Sequence, residues 1–135
     1  MRRSTGLQAA KFTVIGGIGF IVDGGLMTIL NSIYEFDLLP ARICSFSVAV
    51  TVTWILNRRR TFTDRASNRL ASEWGRYAAI NSIGAMMNIG IFFWLIDRFA
   101  SLREAPLLPL AAASLVVLVF NFFASKHIAF KRQQI

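Results

Sequence analysis

This sequence predicts an all-helical membrane protein: four transmembrane helices forming two tandem helical hairpins, with both termini cytoplasmic. Three observations predict it. The 135 residues are 55% hydrophobic with a mean hydropathy of +0.52, more apolar surface than a soluble domain of this length has interior to hide. Charged residues make up 16% of the chain, against about a quarter in average globular proteins. The charges also cluster in short stretches, leaving uncharged runs long enough to cross a bilayer.

The first span covers about 12–33 and is interrupted only by Asp23. The N-terminal 14 residues resemble a signal peptide, with Arg2, Arg3 and Lys11 ahead of apolar sequence. The run continues too far for a signal core, which predicts a retained first helix. The second span covers about 38–56, with Arg42 near its outer end. The third, about 77–96, and the fourth, about 106–124, carry no charge. Backbone groups in lipid must pair within the segment, so all four are expected to be helices.

Lysine and arginine set the orientation. Arg2, Arg3 and Lys11, then Arg58, Arg59, Arg60, Arg65, Arg69 and Arg76, then Lys126, Lys131 and Arg132 fall on one side. Only Arg42, Arg98 and Arg103 fall on the other. The positive-inside rule places the rich side, with both termini and the central loop of about 57–75, in the cytoplasm. Trp74, Tyr77, Trp94 and Tyr34 lie near span ends, where an aromatic belt is expected. Residues 67–76 have the pattern of an interfacial helix, with Leu70, Ala71 and Trp74 toward lipid.

The chain also matches itself. Lys11-Phe12-x-x-Ile15-Gly16-x-Ile18-Gly19-x-x-x-Asp23 aligns with Arg76-Tyr77-x-x-Ile80-Asn81-x-Ile83-Gly84-x-x-x-Asn88 at an offset of 65. The ends of spans two and four, around Asn57-Arg58 and Ser125-Lys126, align at an offset of 68. One transmembrane domain over 1–135 is expected, with a first repeat of about 11–62 and a second of about 76–130. Two helices per copy give both copies the same orientation, a parallel repeat.

Polar residues inside the spans are the candidates for function. An ionised carboxylate at mid-membrane costs at least ~2.5 kcal/mol, so Asp23 must face a bundle interior, a wet cleft or a partner. Gly16, Gly19 and Asp23 share a helical face, as do Asn81, Gly84 and Asn88. The glycines read as close-packing positions, and the asparagines either as an interhelical seam or as a polar path. At the basic ends, Asn57, Arg58 and Arg59 correspond to Ser125, Lys126 and His127, with Asn121 one turn before. Two such ends brought together offer a site for a lipid phosphate; topology control alone explains any single arginine.

Several function classes are disfavoured. A pI near 11.1 and a net charge of +8 suggest nucleic acid in a soluble protein, but here they fit an anionic leaflet, and no nucleic-acid partner is expected. Cys44 is a single cysteine in an apolar run and reads as a small buried residue. No metal spacing, cofactor motif or nucleophile–base pair is present, and Asp64 and Glu73 read as isolated loop acids. An enzyme is not expected, and no cofactor is implied.

Lys11-Phe12-x-x-Ile15-Gly16, Asp23, Asn57-Arg58-x-x-x-Phe62 and Asn121-Phe122-x-x-Ser125-Lys126-x-x-x-Phe130 together resemble the GtrA-like family over nearly the whole chain. The sequence departs from the pattern at Thr53, where span four has Asn121, and at Ser125, where span two has Asn57. The resemblance implies a flippase in the bacterial inner membrane for a polyprenyl-phosphate monosaccharide, serving cell-surface polysaccharide such as O-antigen. On that reading Asp23, Asn81 and Asn88 line a path for the sugar, while Arg58, Arg59 and Lys126 dock its phosphate amid surrounding membrane lipids. Four helices enclose little space, so a homodimer or larger assembly is expected. Two other readings stand beside it. One is an accessory protein that positions a membrane glycosyltransferase; the other is a small multidrug-type exporter using Asp23.

Overall fold

The computed structural model describes residues 4–132, so Arg2 and Arg3 of the N-terminal basic cluster lie outside the described residues. Helix α1 spans Thr5–Ser32, α2 Leu38–Leu56, α3 Leu70–Arg98 and α4 Leu107–Ala124. Each is long and apolar enough to cross a membrane, and the chain is a multi-pass, all-helical membrane protein among its described residues. Helix α1 begins ahead of its apolar run because the Ser4 hydroxyl accepts the Leu7 N–H at 3.2 Å, capping the first turn. Pro40 and Pro109 sit in the first turns of α2 and α4, where a missing N–H costs no helical hydrogen bond.

The expected interfacial helix is not separate. Leu70 to Arg76 are the first two turns of α3, continuous with the span, so α3 extends well beyond the hydrocarbon thickness. This shortens the central loop and brings α3 back along α2.

Helices α1 and α2 pack on one another, as do α3 and α4, giving two hairpins. They meet most fully at the basic end. There both α2 and α4 close in a five-residue π-helical turn, Asn57–Thr61 and Ser125–Ala129. Each turn ends identically: the Phe62 N–H donates to the Asn57 carbonyl and the Phe130 N–H to the Ser125 carbonyl, both at 2.8 Å. The extra residue per turn redirects the chain inward. Phe62 and Phe130, both fully buried, stack at 4.9 Å between centroids.

Phe12, Phe122 and Tyr77 complete this aromatic core, with Phe12 edge-on to Phe122 at 5.6 Å and Tyr77 edge-on to Phe130 at 5.8 Å. Such pairs add about 0.5–1.5 kcal/mol each beyond burial. Tyr77 is therefore an interior residue and not part of an aromatic belt. Cys44 also differs from expectation: it is exposed, on the outward side of α2. Polar residues such as Arg42, Ser47 and Thr51 are spread round helix α2, so its sequence carries no period to say which face turns inward.

Many other apolar side chains, including Ile21, Met86 and Leu107, are exposed on the outside of the bundle. In a bilayer that surface meets acyl chains, so it carries no penalty.

A polar cavity between the hairpins

Between the four helices lies a cavity of about 250 Å³. Helix α1 contributes Gly16, Gly19 and Asp23; α2 contributes Thr53 and leads into Asn57. Helix α3 supplies Tyr77 and Asn81, and α4 supplies Asn121, with Phe12, Phe20 and Phe46 as apolar walls. Polar groups spaced widely in sequence thus converge inside the bundle.

The cavity has two differently built ends. Toward the basic face, Asn57 is almost fully buried and donates its amide N–H to the Tyr77 hydroxyl at 3.0 Å. The Asn57 amide oxygen accepts the Thr61 hydroxyl at 2.9 Å, tying the site to the π turn. Toward the other face, Asp23 accepts the Arg42 guanidinium at 2.7 Å and the Ser45 hydroxyl at 2.6 Å. Arg42 and Ser45 are on α2, so this cluster lies within the first hairpin. Pairing and hydrogen bonding offset what a lone carboxylate would cost there.

The walls approach closely at two glycines. A methyl group at Gly19 would overlap the Thr53 side-chain methyl, and one at Gly84 would overlap the Asn121 amide. Small residues at these points let the helices touch. The Asn121 amide oxygen is buried and unpaired. That oxygen lies against Gly84 of α3, so the close approach of the two helices holds it there without a partner. Asn81 donates back to the Tyr77 carbonyl of its own helix at 2.9 Å.

The other predicted site residues fall elsewhere. Gly84 lies behind the wall, against Asn121. Asn88 donates to the Ser114 hydroxyl at 3.2 Å, binding α3 to α4, and does not line the cavity. Arg58, Arg59, Ser125 and Lys126 stand at the basic end outside the cavity lining. Arg58 is paired with Glu73 at 2.7 and 2.8 Å. That carboxylate is fully buried and also accepts the Trp54 indole N–H at 3.0 Å and the Ser67 backbone N–H at 2.6 Å. Glu73 is thus a structural counter-ion inside α3 and not an isolated loop acid; Asp64 lies 3.6 Å from Arg132. Lys126 donates to the Thr5 hydroxyl at 3.0 Å, which brings the two described ends of the chain together at the basic face. Ser125 is buried with its hydroxyl unpaired, and Arg59 is exposed.

Sequence reasoning passed over Arg42 and Ser45 as parts of the site. The usable signal was a lone arginine just past the outer turn, within reach of a lone aspartate on the preceding helix.

None of the curated proteins compared is similar enough to this chain to count as a match. A family model does match, described as the GtrA/DPMS transmembrane domain and covering residues 11–130, which takes in both hairpins and both π turns. With four spanning helices and this match over most of its length, the chain belongs to the GtrA/DPMS transmembrane-domain family.

Proposed function

We propose that the protein translocates a polyprenyl-phosphate-linked monosaccharide across the bacterial inner membrane, with its basic end in the cytoplasm. The observation that carries this reading is the polar cavity inside an otherwise apolar bundle. A sugar needs hydrogen-bonding partners to cross hydrocarbon, and Asp23, Asn57, Asn81 and Asn121 line one compartment. Its volume of about 250 Å³ is below the ~300–1,000 Å³ of pockets for drug-sized ligands, which favours a single sugar ring over an oligosaccharide.

The prenyl tail has a place of its own. Helices α1 and α4 touch little, and an apolar groove lined by Ala9, Leu118, Val119 and Phe122 runs between them. The phosphate falls to Arg59 and Lys126, because Arg58 shares its charge with Glu73. The exporter reading weakens for a parallel reason: Asp23 is neutralised by Arg42 and is not free for a lipophilic cation.

The test is binding of a polyprenyl-phosphate monosaccharide by native mass spectrometry, followed by transfer across proteoliposomes. Asp23→Asn is expected to cut transfer by about tenfold or more, the loss of one or more hydrogen bonds to a charged group, while unfolding stays near wild type. Binding no stronger than that of ordinary anionic phospholipid would sink the translocator and leave a protein that positions a glycosyltransferase.

A further inference from the structure

A second compartment lies at the basic end, separate from the cavity. It measures about 950 Å³ and is lined by Arg69, Arg76, His127, Lys131 and Arg132, with Ser67 and Asn68 at its edge. It shares no lining residue with the central cavity. Three stretches of chain build it: the approach to α3, the π turn after α4, and the C-terminal tail.

The arrangement differs from a set of arginines reaching independently for headgroups. Among the described residues, no acidic side chain lines the compartment. Glu73, in the first turn of α3, is buried and occupied by Arg58, Trp54 and Ser67. Arg76 is fixed in place: it donates to the Ile128 carbonyl at 2.9 Å, to the Ala129 carbonyl at 3.1 Å, and to the Ser72 hydroxyl. Those two carbonyls end the π turn and would otherwise present negative partial charge. His127 lies parallel to Phe123, which sets its ring plane. The side chains of Arg69 and Lys131 have no hydrogen-bond or ion-pair partner among the described residues, and Arg132 reaches Asp64 only at 3.6 Å. The start of α3 adds the positive end of a helix dipole beside Arg69.

We infer that this compartment binds a phosphate-bearing anion of at least two negative charges, in a lipid headgroup or in a soluble diphosphate. A fixed Arg76 beside the unpaired Arg69 and Lys131, with Asp64 as the one acid near the cluster, leaves an excess of positive charge that suits such a group. The site does not rest on the lipid-sugar reading of the cavity, and either can fail alone.

The test titrates inorganic pyrophosphate into the full chain in nanodiscs of neutral phosphatidylcholine, by calorimetry. Saturable 1:1 binding is expected. Combining Arg69→Gln with Lys131→Gln should weaken it by about tenfold or more, since each removes a charge-assisted contact. Combining Arg98→Gln with Arg103→Gln, at the opposite end of the bundle, removes the same charge and should leave binding unchanged. A parallel measurement on the wild-type chain needs no variant to fold: pyrophosphate should slow acetylation of Lys131 and not that of Lys11. Adding cardiolipin, whose headgroup carries two phosphates, to the nanodiscs separates the sources. Competition with pyrophosphate supports a headgroup as occupant; undiminished binding supports a soluble phosphate. Absence of saturable binding, equal loss in both variant pairs, or unprotected Lys131 would overturn the site.

Discussion

The two hairpins put the same architecture around different chemistry. Each ends in a π turn whose closing phenylalanine enters the aromatic core, and each has a glycine pressed against the facing helix. Lys11 and Arg76 even perform the same task, donating to the carbonyls of Arg60 and Ile128 respectively. The polar positions diverge. Asp23 is salt-bridged to Arg42 and bonded to Ser45, whereas Asn88, Leu110 and Ala113 stand at the same offsets in the second hairpin. Gln8 in α1 corresponds to Glu73 in α3. The comparison teaches that packing constrains both halves alike, while charge is free to differ. The cavity therefore has one charged wall and one neutral wall.

The sharpest way to break the comparison is at Gln8 and Glu73. Both are buried, but Glu73 holds the charge of Arg58, and Gln8 donates only a long 3.4 Å bond to the Thr61 carbonyl with its own oxygen unpaired. Glu73→Ala should cost about 3–5 kcal/mol, because it strands a partly buried guanidinium. Gln8→Ala should cost about 1 kcal/mol. Unfolding by dodecyl sulfate titration in mixed micelles measures both. Equal losses would mean that the halves are held by the same forces. Replacing Glu73 and Arg58 together by leucine should recover much of the loss, since the buried charge then disappears with its partner.

Next in size are the two glycine contacts. Gly19→Ala meets the methyl of Thr53, and Gly84→Ala meets the amide of Asn121. Each should cost about 1–3 kcal/mol by overpacking. Thr53→Ser deletes the offending methyl and should rescue Gly19→Ala, while leaving Gly84→Ala as damaged as before. A rescue of both by the same change would show that the two contacts are coupled through the cavity and do not act as independent seams.

These contrasts also show what was legible in the sequence. Membrane spans are readable because charge inside hydrocarbon is costly, and the second and fourth apolar runs matched α2 and α4 closely. The same cost made Asp23, Asn57, Asn81 and Asn121 stand out, and the structure places them around one cavity. Their service to a substrate is a separate matter, carried by the proposal above. Glu73 was illegible because, amid Arg69, Ser72 and Arg76, it has the composition of a solvated face. Its burial depends on the Ser67 turn folding back over α2. The π turns left no trace because an i→i+5 bond alters neither composition nor apolar period. Arg42 was visible but was assigned to topology, and its partner became evident only with the rotation of α2 about its axis.

The smallest expected effect concerns the packing of the second hairpin. The Asn88 amide bonds Ser114 at 3.2 Å, a side-chain contact between α3 and α4 on the outer face of the second hairpin. Hydrogen bonds between membrane helices average about 0.6 kcal/mol, since the unfolded helices also find partners. Asn88→Ala should therefore lower stability by about that amount, and Ser114→Ala by the same, with no further loss when the two are combined. Neither change touches the cavity lining, so sugar-lipid binding should stay at the wild-type level in the native mass spectra. A large binding defect from Asn88→Ala would place Asn88 with Asp23 on a path through both hairpins, and the site would then be more symmetric than its geometry suggests.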